Sequence, residues 1–242
     1  LHNTRMLLIG SSRNGRTVYA EMLTRHGGEV VAVESEQAVF GDQGHAGVDR
    51  TASFARELNG AAGGRITTWL APHAPYTVSD ESLLSVRRYA DELEVPVHIH
   101  LHETAEEVVN SVTEHGQRPF ARLRALGLLS PLLMAVHMTQ LGPADIGQIA
   151  ESGVSVVHCP QSNLKLASGF CPVAELVDAG VNVALGTDGA ASNNMLDILA
   201  ELRMAALLAK VAAGDGGAIA AQQALRMATL DAAKILRRDH EI

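Results

Sequence analysis

Residues 97–104 read Val97-His98-Ile99-His100-Leu101-His102-Glu103-Thr104. Three histidines fall at every second position and a glutamate follows. Alternation of period two places His98, His100 and His102 on one face of a β-strand, at increasing depth toward its end. Only one or two of them can then reach a centre at the strand's mouth. Glu103 stands one step beyond, where the chain leaves the strand.

The same arrangement recurs outward from this stretch. Candidate strands are Met6–Ile9, Glu29–Val33, Ile66–Leu70, Val95–Leu101, Leu133–His137, Val154–His158 and Val181–Leu185. They are mostly continuous apolar runs, as expected of strands buried on both faces. Five of them run into polar chemistry: His73 after the third, the histidines and Glu103 at the fourth, His137, then His158-Cys159-Pro160 with Gln161-Ser162-Asn163, then Gly186-Thr187-Asp188. One strand-end histidine is usually structural, but five successive endings call for a common site.

Helical patterns separate the strands. Thr77-x-x-Asp80 and Thr104-x-x-Glu107 read as capping boxes. Pro143 and Pro172 suit first helical turns, and Gly116, Gly153 and Gly180 suit helix ends. A long apolar helix is expected from Met195 to about Ala213, its Leu199, Leu202, Ala206, Leu207 and Val211 packing on the barrel or, alternatively, on a second copy in a homo-oligomer. Another helix is expected from about Ala218 to Leu236. Strand–helix alternation allows an open doubly wound sheet or a (β/α)8 barrel. No G-x-G-x-x-G or Walker loop marks the first, and chemistry at several strand ends marks the second. The α/β (β/α)8 TIM-type barrel is therefore expected, as one domain over 1–242.

Bulk properties narrow the function. The 242 residues carry a net charge of −8, which argues against nucleic acid as a partner. No apolar run reaches the roughly 18 residues of a membrane span, and no secretory leader is evident. Two cysteines are no disulfide framework and suit a reducing cytoplasm as buried thiols. Of 11 histidines, seven lie between His73 and His158. Imidazoles with a carboxylate suit Zn²⁺ or Fe²⁺, and a second carboxylate could move protons. The bland alternative is a polar barrel interior of paired histidines.

From His73 onward the chain resembles the amidohydrolase superfamily, within it the 5-methylthioadenosine/S-adenosylhomocysteine deaminases and the related triazine chlorohydrolases. The matching segments are 71–81 (APHAPYTVSDE), 97–108 (VHIHLHETAEEV), 158–169 (HCPQSNLKLASG), 186–199 (GTDGAASNNMLDIL) and 225–236 (LRMATLDAAKIL). The resemblance implies a metal-dependent hydrolytic deaminase of small-molecule adenine nucleosides. His100 and Asp188 would bind one divalent ion, zinc or iron. Glu103 would shuttle a proton to the ring, His137 would hold the attacking water, and His73 and Ser192 would face the substrate. His98 would be a buried interior histidine and His102 a pocket wall. Alternatives are a chlorohydrolase or aminohydrolase on s-triazines or purine bases, and a non-catalytic barrel.

Two departures accompany the resemblance. Arg65–Leu70 offers no lysine to bridge two metals, which favours one. No H-x-H pair lies upstream of His73, where the family's first strand carries two further ligands. His2, His26 and His45 stand alone, and His45 lies in a Gly-rich stretch expected to be a loop. Residues 1–65 match the family poorly and 66–242 match it well. The expectation is thus an incomplete barrel, a fragment cut at both ends without the first strand and flanking β-sandwich, that binds metal weakly and acts poorly alone.

Overall fold

The computed structural model describes residues 43–64 and 66–241. The strands expected at Met6–Ile9 and Glu29–Val33, with His2 and His26, lie outside them. The chain divides into two compact units after His98.

In the first unit, α1 (Gln43–Leu58) and the single turn α2 (Ala61–Gly64) precede α3 (Asp80–Leu93). His45 lies within α1, so the expected Gly-rich loop is helix. Helices α1 and α3 meet through Tyr89, whose hydroxyl donates to Asp49 and whose ring lies under Arg56, itself paired with Glu92 at 2.8 Å. Ala52, Ala55, Leu83 and Val86 are buried in this unit. The strand expected over Ile66–Leu70 shrinks to one parallel bridge, Leu70 to Val97. Its backbone groups are taken locally: the Ile66 N–H donates to the Ala61 carbonyl and the Thr68 N–H to Asn59 Oδ1 at 3.1 Å. The capping residue of α3 is Ser79, which accepts from the Ser82 N–H at 3.2 Å, and not Thr77, which instead folds back on the Ala74 carbonyl.

β1 (Val97–Leu101) begins two residues later than the sequence suggested. Pro96 has no N–H for a ladder, and the Val95 N–H still serves the end of α3 at Ala90. In the second unit follow α4 (Ala105–His115), α5 (Pro119–Ala125), β2 (Leu133–His137), α6 (Pro143–Ser152), β3 (Ser155–His158), α7 (Pro160–Lys165), α8 (Val173–Asp178), β4 (Val183–Leu185), α9 (Ile198–Ala213), α10 (Ala221–Ala228) and α11 (Leu230–Ile235). The sheet order is β1-β2-β3-β4. β2 pairs with β3 and β3 with β4, both parallel, in registers that set Ala135 beside Val156 and Val157 beside Ala184. This is the α/β class expected, four strands of it among the described residues. Because β2, β3 and β4 are parallel, their C-terminal ends lie along one edge of the sheet.

Two helical expectations change. The helix foreseen from Ala218 to Leu236 is two helices, broken at Thr229 (φ −129°, ψ −94°), whose hydroxyl donates to the Leu225 carbonyl at 2.7 Å. Helix α9 does not pack all its leucines inward: Leu208 lines a cavity, but others face out. Ala205, Ala209 and Glu201 are buried, while Leu199, Leu207 and Val211 are exposed. Small side chains let α9 approach its neighbours closely, and Leu199, Leu207 and Val211 turn out.

Candidate active site

Three of the four strands run toward the site through an unusual backbone turn. His102 after β1, His137 at the end of β2 with Met138, and Asp188 after β4 all have positive φ, between 50° and 75°. A non-glycine residue rarely adopts this conformation, and such positions cluster at functional sites. Here the turn swings the chain out of the ladder where the side chains must converge.

They do converge at His137. Its ring is 1% exposed. Nδ1 lies 2.8 Å from Asn163 Oδ1. Nε2 faces Glu103 Oε1 at 3.8 Å and Asp188 Oδ2 at 4.0 Å. The His100 ring stacks on His137 with centroids 5.5 Å apart. His100, Glu103, His137 and Asp188 are therefore brought together. His73 lies in the first unit, where Nδ1 meets Thr77 Oγ1 at 2.9 Å and the ring meets Tyr76 edge-on. Ser192 donates to Asp188 Oδ2 at 2.7 Å.

Asp188 is held as a carboxylate. Burial favours its neutral form, but the hydroxyls of Ser162 (2.6 Å) and Ser192 and the Gly189 N–H (2.7 Å) outweigh that and keep its pKa below the ordinary value. The loop carrying it is pinned by Asn193, buried, which donates to the Thr187 carbonyl and to Glu201 and accepts from the N–H groups of Met195 and Leu196. Burial pushes the Glu201 pKa up.

Glu103 is aimed by its neighbours. Its N–H donates to Glu107 Oε2 at 2.7 Å, and the His102 N–H donates to Glu107 Oε1 at 3.0 Å. The Glu103 carbonyl accepts from Thr139 Oγ1 at 2.7 Å. Thr104 caps α4 as expected, accepting from the Glu107 N–H at 3.1 Å, but Glu107 reaches past the cap residue to the two N–H groups before it. Burial raises the Glu107 carboxyl to about 7.

His102 is not a pocket wall. It is fully buried and ties three segments together: Nε2 accepts from the Phe120 N–H at 3.1 Å, and Nδ1 meets the Gln140 carbonyl at 2.9 Å. Arg118, paired with Asp145 at 2.9 Å, donates to the same carbonyl. His98 is half-buried and belongs to the first unit. His158 is buried and lines a separate cavity with Asn163 and Cys171.

The donor chemistry suits a divalent ion. With a proton on Nδ1, the Nε2 lone pair of His137 faces two carboxylate oxygens, and nothing in that trio can donate. Yet among the described residues no group of three His, Cys, Asp or Glu side chains closes on one point as a metal would require. The residues fit as part of a ligand set.

Asn163, Glu107, Thr139 and Glu201 were missed as site residues. Asn163 lies in the 158–169 motif, which signalled it without assigning it a task. Nothing local marks Thr139 or Glu201.

A model of the amidohydrolase family matches residues 26–242. A 5-methylthioadenosine/S-adenosylhomocysteine deaminase of Teredinibacter turnerae is 56% identical over 177 residues, 73% of this chain and 40% of that protein. One of Moorella thermoacetica is 44% identical over 250 residues, 99% of this chain and 58% of that protein. In structure, an adenosine deaminase from Xanthomonas campestris with bound zinc aligns at TM-score 0.83 and 45% identity, over 97% of this chain and 53% of that one. An atrazine chlorohydrolase from Arthrobacter aurescens aligns at TM-score 0.79 and 26% identity, over 92% and 52%. The chain thus spans about half the length of the curated relatives it matches.

Proposed function

Because this chain belongs to the amidohydrolase family, we propose that it serves the hydrolytic deamination of adenine nucleosides of the 5-methylthioadenosine and S-adenosylhomocysteine type, with release of ammonia. The observation that carries this reading is the meeting of His137 Nε2 with Glu103 and Asp188 within 4.0 Å, in a chain 44–56% identical to relatives that bear that name. One divalent ion, zinc with iron as the alternative, would be held by His100 and Asp188. It would supply a bound water whose pKa is lowered toward about 7.

The protein's own residues then divide the proton work. Asp188, kept ionised by its hydroxyl and N–H donors, takes a proton from the attacking water. His137 holds that water at Nε2. Glu103 gives a proton to the ring nitrogen beside the carbon that bears the amine. The water oxygen bonds to that carbon, the carbon–nitrogen bond breaks, the amine leaves as ammonia with the proton Asp188 took, and the remaining hydroxyl proton returns to Glu103 to leave the carbonyl product. His73 and Ser192 are assigned to the nucleoside.

The likeness to an atrazine chlorohydrolase keeps a second reading alive: the same residues acting on an s-triazine or a purine base with a different leaving group. A non-catalytic barrel is the third, favoured by the incomplete ligand set among the described residues.

The test is ammonia release by the gene product that carries these residues, supplied with Zn²⁺, on methylthioadenosine, S-adenosylhomocysteine, adenosine and an s-triazine. Glu103→Gln should lower turnover on the thio-nucleosides at least about 10²-fold, the usual share of a general acid, with metal content unchanged. Full turnover in that variant would remove the proton-shuttle assignment. Preference for the triazine would replace the substrate class, and silence on every substrate would leave the non-catalytic reading.

A further inference from the structure

His158 and Asn163 stand one residue and six residues past Val157, which forms the last wholly apolar pair of the β3–β4 ladder with Ala184, and neither is spent by the chemistry above. Asn163 is 2% exposed and His158 3%. Asn163 sits in α7, its backbone fixed at both sides: its N–H donates to the Cys159 carbonyl at 3.0 Å and its own carbonyl accepts from the Ser168 N–H at 2.8 Å. Its side-chain oxygen faces His137 Nδ1 at 2.8 Å. Among the described residues its side-chain nitrogen has no hydrogen-bond partner, and neither has His158 Nδ1. Both residues line one cavity, closed by Phe170, Cys171, Leu208 and Ala209.

A buried amide nitrogen with nothing to donate to has lost its water hydrogen bond without replacement, which destabilises the fold. Two such atoms at one small cavity are what an internal water relieves, since it can accept from one and donate to the other. The arrangement also has a direction. An amide has a donor end and an acceptor end. Whichever end faces the cavity decides which end faces His137, and so which nitrogen of His137 carries the proton. With the oxygen toward Nδ1, that nitrogen must be N–H, and the lone pair is left on Nε2, the atom turned to Glu103 and Asp188. In the opposite tautomer Nε2 would itself be a donor, unable to accept from a water or to bind a cation.

We propose that Asn163, anchored by an internal water shared with His158, is a positioning residue that fixes His137 as the Nδ1–H tautomer. This deepens the reading of the site given above and rests on it only for the use to which the free Nε2 is put. The relay itself is a property of the folded chain.

The test reads the tautomer directly. In ¹⁵N-labelled full chain without added metal, long-range ¹H–¹⁵N correlation should show His137 Nδ1 as the protonated nitrogen. Asn163→Asp retains an oxygen for that N–H and should keep the pattern. Asn163→Leu, similar in size but without polar atoms, should shift the proton toward Nε2. The Asn163 amide hydrogens should also show exchange-free cross-relaxation to a long-lived water, lost in His158→Phe. A native His137 protonated on Nε2, or an unchanged tautomer in Asn163→Leu, would overturn the proposal, and a dry cavity would remove the water from it. None of these readouts depends on a substrate. Failure of the deaminase assignment with the tautomer intact, or the reverse, would therefore be told apart.

Discussion

Asp188, His137 and His102 each sit at positive φ, a conformation that costs a non-glycine residue roughly 1–2 kcal/mol. At Asp188 three donors on one carboxylate offset that cost. At His102 two ring hydrogen bonds and full burial do so. Residue types were legible here because chemistry limits them: His100, Glu103, His137 and Asp188 were named from their places at strand ends, and the fold brings them together. His102 was misjudged because alternation along the strand was extended one residue too far, past the turn. Asn163 was not readable because its partner, His137, lies 26 positions away, and Glu107 was read only as a cap because its reach to the two N–H groups before Thr104 depends on the turn at His102. Two buried groups make opposite pH predictions. Burial lowers His158 to about 3, so folding disfavours its protonation, and stability from this group rises as pH climbs from about 3 to its unfolded value near 6.5. Glu107, raised to about 7, is neutral longer in the folded state, so its contribution falls as pH climbs from about 4.5 to 7. The two slopes oppose each other between about 4.5 and 6.5. Urea unfolding of Glu107→Gln should show stability rising with pH in that window more steeply than in the parent, by up to about 1.4 kcal/mol per pH unit. An unchanged slope would mean that Glu107 is an ordinary ionised carboxylate.

Among the elements, β2 was legible to the residue, because four apolar positions in a row run straight into His137. The stretch Ile66–Leu70, with three β-branched residues, a tryptophan and a leucine, was an equally good strand former but had a different outcome, since Asn59 and Ala61 claim its backbone groups first. Composition reports the appetite for a strand, not the presence of a neighbour to pair with. Caps tell the same story: Thr104 begins α4 as its spacing implied, whereas Ser79 displaced Thr77 at α3. Thr104→Ala should cost about 1 kcal/mol in thermal or urea unfolding, and it should loosen the stretch that carries Glu103. Gly169 has φ +132°, and a Cβ there would stand 2.6 Å from Gln140 Nε2 and 3.1 Å from Thr139 Oγ1. Gly169→Ala should therefore destabilise by more than about 1 kcal/mol. A neutral result would show that the Thr139–Gln140 turn yields easily.

At the scale of the molecule, the α/β class was clear from alternation and the family from its motifs, while the inward and outward faces of α9 were not. A helix rich in both alanine and leucine can bury either, and close approach selected alanine. Among the described residues no helix is long and apolar enough to cross a membrane. The two cysteines lie behind the site, Cys159 1% and Cys171 4% exposed, and neither forms a disulfide. Burial raises both thiols above their ordinary pKa, so neither reachable surface nor thiolate is on offer to an alkylating reagent. The pair is in effect a built-in clock. Ellman's reagent should find no reactive thiol in the native chain at neutral pH and two in denaturant, and immediate reaction of either in the native chain would contradict the burial described. Followed over hours without denaturant, the labelling rate counts how often the wall behind His158 and Asn163 opens, and peptide mapping of the labelled sulfur tells which side of it moves first.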